Sequence, residues 1–122
     1  MKAIVLREFG GPEVLSYEDV SVPRPAVGEV LLKVHSVSVN RTLDLVVRAG
    51  NYPVKIQMPH VLGVDPAGEI VGIGEGVDRF QIGDRVAVVS FMACLRCKQC
   101  LKGEEACCVA SQHIGLHRWG GY

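Results

Sequence analysis

A mainly β domain, folded as a small and partly open barrel with one short helix and a cysteine-rich lobe, is what this 122-residue sequence predicts. Three observations carry that prediction. The apolar runs are short, rich in valine and isoleucine, and closely spaced. Fourteen glycines and six prolines punctuate them. Only one stretch has helical periodicity. At this length the chain supports one domain over residues 1–122, burying roughly two-thirds of its unfolded surface.

Lys2 to Arg7 (KAIVLR) is a compact apolar run whose length suits a strand better than a helix. Val14 to Val20 predicts a second strand, stopped by Pro23 and Pro25. Glu29 to Val39 is the longest strand candidate. Within it Val30, Leu32 and Val34 alternate with polar neighbours, and the apolar phase then passes to Val37 and Val39. Side chains alternate faces with a period of two, so a change of phase predicts a bulge or a barrel corner. Thr42 to Ala49 is the helix: Leu43, Val46 and Val47 fall at i, i+3 and i+4, and Gly50 is placed to end it. Val61 and Leu62 lead into Gly63, Ala67 to Ile73 reads as a further strand, and Gly83-Asp84-Arg85 introduces a last one over Val86 to Val89. The ending Trp119-Gly120-Gly121-Tyr122 reads as the start of another strand, so a longer polypeptide is expected.

The most specific signal is Cys94-Leu-Arg-Cys97-Lys-Gln-Cys100, followed after seven residues by Cys108. Three thiols spaced by two residues can turn the backbone round one ion, and the fourth returns to close a tetrahedron. That pattern predicts a structural zinc site with four protein ligands and no position open to substrate, in a lobe spanning about 92–109. A ferredoxin-type cluster shares the first two intervals but needs its fourth cysteine where Glu104 stands. A disulfide framework would leave one of the five cysteines over, and nothing in the opening residues reads as a secretory signal. Cys107 is either a spare thiol or an alternative fourth ligand, the spacing leaning slightly to Cys108.

The charges balance, thirteen basic against thirteen acidic, which gives no electrostatic case for nucleic acid or an anionic membrane. Arg96, Lys98 and Lys102 sit inside the cysteine loop, where they read as positive charge on a solvated surface near a dianionic metal site. No apolar stretch approaches the ~18 residues of a membrane span. Free thiols in this number suit a reducing compartment, so a cytoplasmic location is expected.

The opening MKAIVLREFGGPEVL, the Pro23–Pro25 segment, GEVLLKVHSVSVN, LDLVVRAGNY, PHVLGVDPAGEIVGIGEGVDRFQIGDRVAV, the four-cysteine lobe and the closing GGY follow one another in this order. Together they resemble the N-terminal, GroES-like domain of the medium-chain dehydrogenase/reductase superfamily, which includes zinc alcohol dehydrogenases and quinone oxidoreductases. The resemblance implies an oxidoreductase whose barrel supplies the substrate side of a cleft, with NAD(P)H bound mainly by a following Rossmann domain. That domain is missing from this sequence. Gly72, Gly74 and Gly76 give G-x-G-x-G, Val77 stands where the dinucleotide fingerprint has its third glycine, and no helical pattern follows, so these glycines read as a turn. The chain alone is therefore expected to be inactive. The full-length protein is expected to take a small-molecule substrate and to form a homo-oligomer.

In zinc alcohol dehydrogenases the resemblance implies a second, catalytic zinc, held by a cysteine after the long strand, by the histidine of a Gly-His-Glu triplet and by a further cysteine. Here the strand is followed by Asn40-Arg41-Thr42-Leu43-Asp44. Alignment on Asp44 and Gly50 puts Arg41 in the cysteine position, and alignment on the strand end puts Asn40 there. The triplet reads Gly63-Val64-Asp65. A site lacking both thiolate and imidazole has little reason to hold zinc. His60, three residues before the triplet, is either a displaced ligand or an ordinary polar residue. The pattern thus points to hydride transfer to a carbonyl, enone or quinone without catalytic zinc, with Asn40, Arg41, Thr42 and Asp44 as the cleft candidates. Arg41 could alternatively reach a cofactor phosphate. Each has a plainer role beside this one: Asn40 or Thr42 as a helix cap, Asp44 complementing the helix dipole, Arg41 as a surface cation. A different class of function, a standalone zinc-stabilised barrel for binding or assembly, is the alternative.

Overall fold

The expected mainly β fold forms, with β1 (Lys2–Leu6), β2 (Leu15–Asp19), β3 (Val30–Val37), α1 (Arg41–Arg48), β4 (His60–Val61), β5 (Pro66–Ile73), β6 (Arg85–Ala87), β7 (Phe91–Met92) and β8 (Gln112–His113). These elements come from a computed structural model that describes residues 1–122. They build a three-stranded sheet β2-β1-β4, a second three-stranded sheet β3-β5-β6 and a two-stranded ribbon β7-β8, every pair antiparallel. The one α-helix is too short to cross a membrane.

Alternation along β1 sends Ala3 and Val5 into a cluster with Val61, while Ile4 faces outward. The second cluster joins Val47 of α1 to Ile56, Leu62 and Leu116. Tyr122 packs against both. Leu6 and Ile70 are 0% exposed, and full burial of such a side chain is worth about 1.5–3 kcal/mol.

The phase change in β3 is a bulge. Val34 pairs with Gly68 and Ser36 with Ala67, leaving His35 as the extra residue. A second register shift, between Leu31 and Leu32, leaves Val71 over on β5. Several boundaries differ from expectation. Pro12–Val14 forms a 3₁₀ turn, so β2 begins at Leu15. The helix begins at Arg41 because Asn40 is its cap. The last expected strand stops at Ala87, although the Val88 amide still bonds to the Pro66 carbonyl.

Residues 120–122 are bonded into the first sheet. Gly120 and Tyr122 donate backbone hydrogen bonds to Val61 and Leu62, and the Tyr122 carbonyl accepts from Ile4 at 2.8 Å. The final residues thus lie between β1 and the Val61–Gly63 segment. Gly120 is required there: a Cβ would stand 2.3 Å from both the Leu62 and Gly63 carbonyl oxygens.

Candidate functional site

The β7-β8 ribbon carries the cysteine lobe on its two ends, pairing Phe91 with His113 and Met92 with Gln112. Between them two 3₁₀ turns, Cys100–Lys102 and Glu105–Cys107, fold the loop back on itself. The first ends at Gly103, which adopts φ 78°. This brings the sulfurs of Cys94, Cys97, Cys100 and Cys108 within 4.8 Å of one another. The Cys97–Cys100 separation is 3.5 Å, and the Cys94–Cys100 and Cys97–Cys108 separations are 4.0 Å. A tetrahedron with zinc–sulfur bonds of about 2.3 Å has edges of about 3.8 Å. Number, chemistry and spacing of the donors therefore fit a zinc ion. Cys107 is exposed, outside this group.

The backbone prepares the thiolates. Amides of Cys100 and Val109 pull the Cys97 thiol down to about 6, and the Cys94 amide donates to Cys108 Sγ at 3.3 Å. Burial, reinforced by the neighbouring thiols, pushes Cys100 up to about 12. Four adjacent sulfurs cannot all ionise without a cation among them, and metal binding releases the remaining protons.

A second polar cluster forms where β3 gives way to α1. Asn40 caps the helix, its Oδ1 accepting from the Leu43 amide at 3.2 Å. The Asn40 amide in turn donates to Asp44 Oδ2 at 2.9 Å. The Tyr122 hydroxyl donates to the same carboxylate oxygen at 2.5 Å and lies 3.1 Å from the Ser38 carbonyl. Ser38 Oγ donates to Asp65 Oδ2 at 3.0 Å. Burial and then the Asp44 carboxylate hold the Tyr122 phenol above its usual range. Arg41 and Thr42, in the first helical turn, are exposed and make no side-chain hydrogen bond within the chain.

The fold therefore ties the Asn40–Asp44 stretch, through Tyr122 and Ser38, to the Gly63-Val64-Asp65 corner. Ser38 and Tyr122 were not legible as members of this cluster: they lie 27 and 78 residues from the carboxylates they contact. The cluster does not fit zinc. Val64 is buried and lies against Gly115, where a Cβ would stand 2.9 Å from Val64 Cγ1. It offers no donor, Asn40 Oδ1 and Asp44 Oδ2 are engaged in hydrogen bonds, and neither thiolate nor imidazole is present. Beside α1 lies a cavity of about 390 Å³ lined largely by apolar groups, among them Leu15, Val37, Val39, Leu45 and Leu62, with Asp44 and Arg48 as its charged members.

His60, three residues before the Gly63-Val64-Asp65 triplet, is a buried strand residue. It lies in β4, 2% exposed, and its Nε2–H donates to the Gly115 carbonyl at 2.9 Å. Burial holds its pKa below 6.5. The unfolded chain thus takes up this proton first as pH falls, and stability is lost below about pH 6.5. Thermal melts between pH 7 and pH 5 should show a declining Tm, with a smaller decline in His60→Gln. An equal slope in the variant would remove His60 as the cause.

Among the glycines of residues 72–76, Gly74 serves a close backbone approach and Gly76 a turn at φ 79°. A Cβ on Gly74 would stand 1.9 Å from the Ala26 carbonyl oxygen, and the Gly74 amide bonds to the Glu29 carbonyl. This segment does not fit a dinucleotide-binding loop, which needs its amides free and a helix behind them.

The family model for the alcohol dehydrogenase GroES-like domain matches residues 26–122. An alcohol dehydrogenase from Moraxella sp. (strain TAE123) is 40% identical over the whole chain, which spans 36% of that protein's length. A quinone oxidoreductase from Lama guanicoe is 46% identical over 74% of the chain and 27% of its own length. Among solved structures, the cobalt- and zinc-bound thermostable alcohol dehydrogenase from Pyrobaculum aerophilum superposes with a TM-score of 0.90 at 38% identity, over 100% of this chain and 37% of that one. The chain thus spans about a third of the length of its relatives.

Proposed function

Since the chain belongs to the medium-chain dehydrogenase/reductase superfamily, as an alcohol dehydrogenase GroES-like domain, we propose that it is the substrate-side part of an NAD(P)H-dependent oxidoreductase that works without catalytic zinc. The observation that carries this reading is the contrast between its two clusters. One gathers four thiols at zinc-binding separations. The other, where the resemblance to zinc alcohol dehydrogenases implies a catalytic metal, offers asparagine or arginine and a buried valine.

The lobe zinc would be held by Cys94, Cys97, Cys100 and Cys108, and four thiolates leave it no position for substrate. Its role is to fold the lobe. The nicotinamide, held outside residues 1–122, supplies the hydride when bound. Within the cleft, Thr42 and Arg41 are the groups free to donate hydrogen bonds to the oxygen on which charge develops. Asn40 and Asp44 serve the same step by holding that first helical turn. Conjugated carbonyls, enones and quinones suit such a site, because they spread the incoming charge without a Lewis acid.

The test is a polypeptide continuing past Tyr122 through a dinucleotide-binding domain. It is expected to contain one zinc per chain and to oxidise NADPH or NADH with 1,4-benzoquinone. Two zincs per chain, or no nicotinamide binding at millimolar concentration, would overturn the reading.

A further inference from the structure

We propose that Tyr122 is a positioning residue whose hydroxyl, bonded to Asp44, clasps the first turn of α1 and so sets where Arg41 and Thr42 stand in the cleft. The inference rests on the oxidoreductase reading for the use of that cleft, but its geometry stands apart from it.

Helix α1 has eight residues, too few to be stable alone in water, so its placement depends on ties to the rest of the fold. At its N-terminus those ties converge on one carboxylate. Asp44 Oδ2 receives the Asn40 amide at 2.9 Å and the Tyr122 hydroxyl at 2.5 Å. A phenol has a single proton to give, and the charged acceptor at the shorter distance takes it in preference to the Ser38 carbonyl at 3.1 Å.

Tyr122 itself is held from both sides. Its amide bonds to Leu62, its carbonyl accepts from Ile4, and its ring lies so close to Gly63 that a Cβ there would stand 3.0 Å from Tyr122 Cδ1. The phenol is therefore a fixed post and the helix is the element it positions. Ser38 Oγ bonded to Asp65 makes a second tie between the end of β3 and the Gly63 corner. Val64 offers no donor at this corner, and the hydrogen bonds of Tyr122 and Ser38 are what join these segments.

Amide hydrogen exchange, followed by NMR on the zinc-loaded 122-residue chain, tests the clasp without nicotinamide or substrate. Tyr122→Phe keeps the ring and removes the hydroxyl. Exchange of the Asn40, Leu43 and Asp44 amides is expected to accelerate about tenfold, with amides of the β1-β2 ladder and the cysteine lobe within about twofold of the parent. Asp44→Asn should accelerate the same amides, and adding Tyr122→Phe to it should accelerate them little further. It also serves if Tyr122→Phe fails to fold: acceleration confined to the helix start supports the clasp. Unchanged exchange, a uniform acceleration of all amides, or independent additive effects would overturn it. Failure of the clasp leaves the proposed activity intact, whereas lack of nicotinamide-dependent turnover in the longer polypeptide leaves the clasp intact.

Discussion

Cys100→Ser is expected to reduce the metal content from one zinc per chain to none and to unfold the lobe while the barrel remains folded. The lobe has almost nothing else to hold it. Between Cys94 and Cys108 only those cysteines at positions 100 and 108 are buried, and Leu95, Leu101 and Val109 are 68%, 76% and 77% exposed. Its regular structure amounts to two 3₁₀ turns of three residues each. Leu95 also sits at φ 57°, a left-handed conformation that disfavours a side chain. Against this, structural zinc binding contributes about 10–16 kcal/mol in small peptides, and there binding and folding are one event. The barrel keeps both hydrophobic clusters: Leu116 is the one buried member that follows the lobe in sequence, and Tyr122, packed against both, is held by its own backbone bonds to Ile4 and Leu62. Mass-spectrometric metal analysis and amide protection should show the loss confined to about 92–109. A variant that retained one zinc with its lobe amides protected would show that Cys100 is not a ligand.

Gly68→Ala is expected to cost about 3 kcal/mol or more of stability. Gly68 lies in the middle strand of β3-β5-β6, opposite the bulge at His35. A Cβ there would stand 2.0 Å from the Lys33 carbonyl oxygen and 3.0 Å from the Val34 Cα. Both are backbone atoms of a paired strand, so relief requires β3 and β5 to separate. Gly83 is the control. Its φ is 97°, but a Cβ there meets nothing within 4 Å, so Gly83→Ala carries only conformational strain, about 1–2 kcal/mol. Urea unfolding should separate the two variants clearly. Equal losses would mean that the sheet yields and the close approach is unimportant.

Much of this architecture was legible in the sequence because it follows local rules. The i, i+3, i+4 spacing of Leu43, Val46 and Val47 marked the helix, and the phase change after Val34 marked the bulge at His35. The matching irregularity at Val71 was not legible, because it belongs to the pairing of two strands and leaves no mark on either alone. The cysteine spacing pointed to a closed tetrad for the same local reason: its members lie within fifteen residues. The cleft is different. Asn40 and Asp44 could be picked out, but their partners Tyr122 and Ser38 come from separate segments that only the folded chain brings together. His60 shows the same limit, since a buried imidazole bonded to a carbonyl 55 residues away looks like any polar residue in a single sequence.

The two small sheets also answer a hazard that every open sheet carries. An unpaired strand edge offers its amides and carbonyls to another molecule, the first step towards fibrous aggregation. Here each edge is defended differently. β2 presents Glu18 and Asp19, held by Arg7 and Lys2. β4 has only two residues, and the chain's own last residues bond to Val61 and to the Leu62–Gly63 backbone that follows it. β6 has only three residues, and eight-residue β3 has its pairing interrupted twice. The bulge that shapes the barrel thus also spoils its longest free edge as a template for intermolecular stacking.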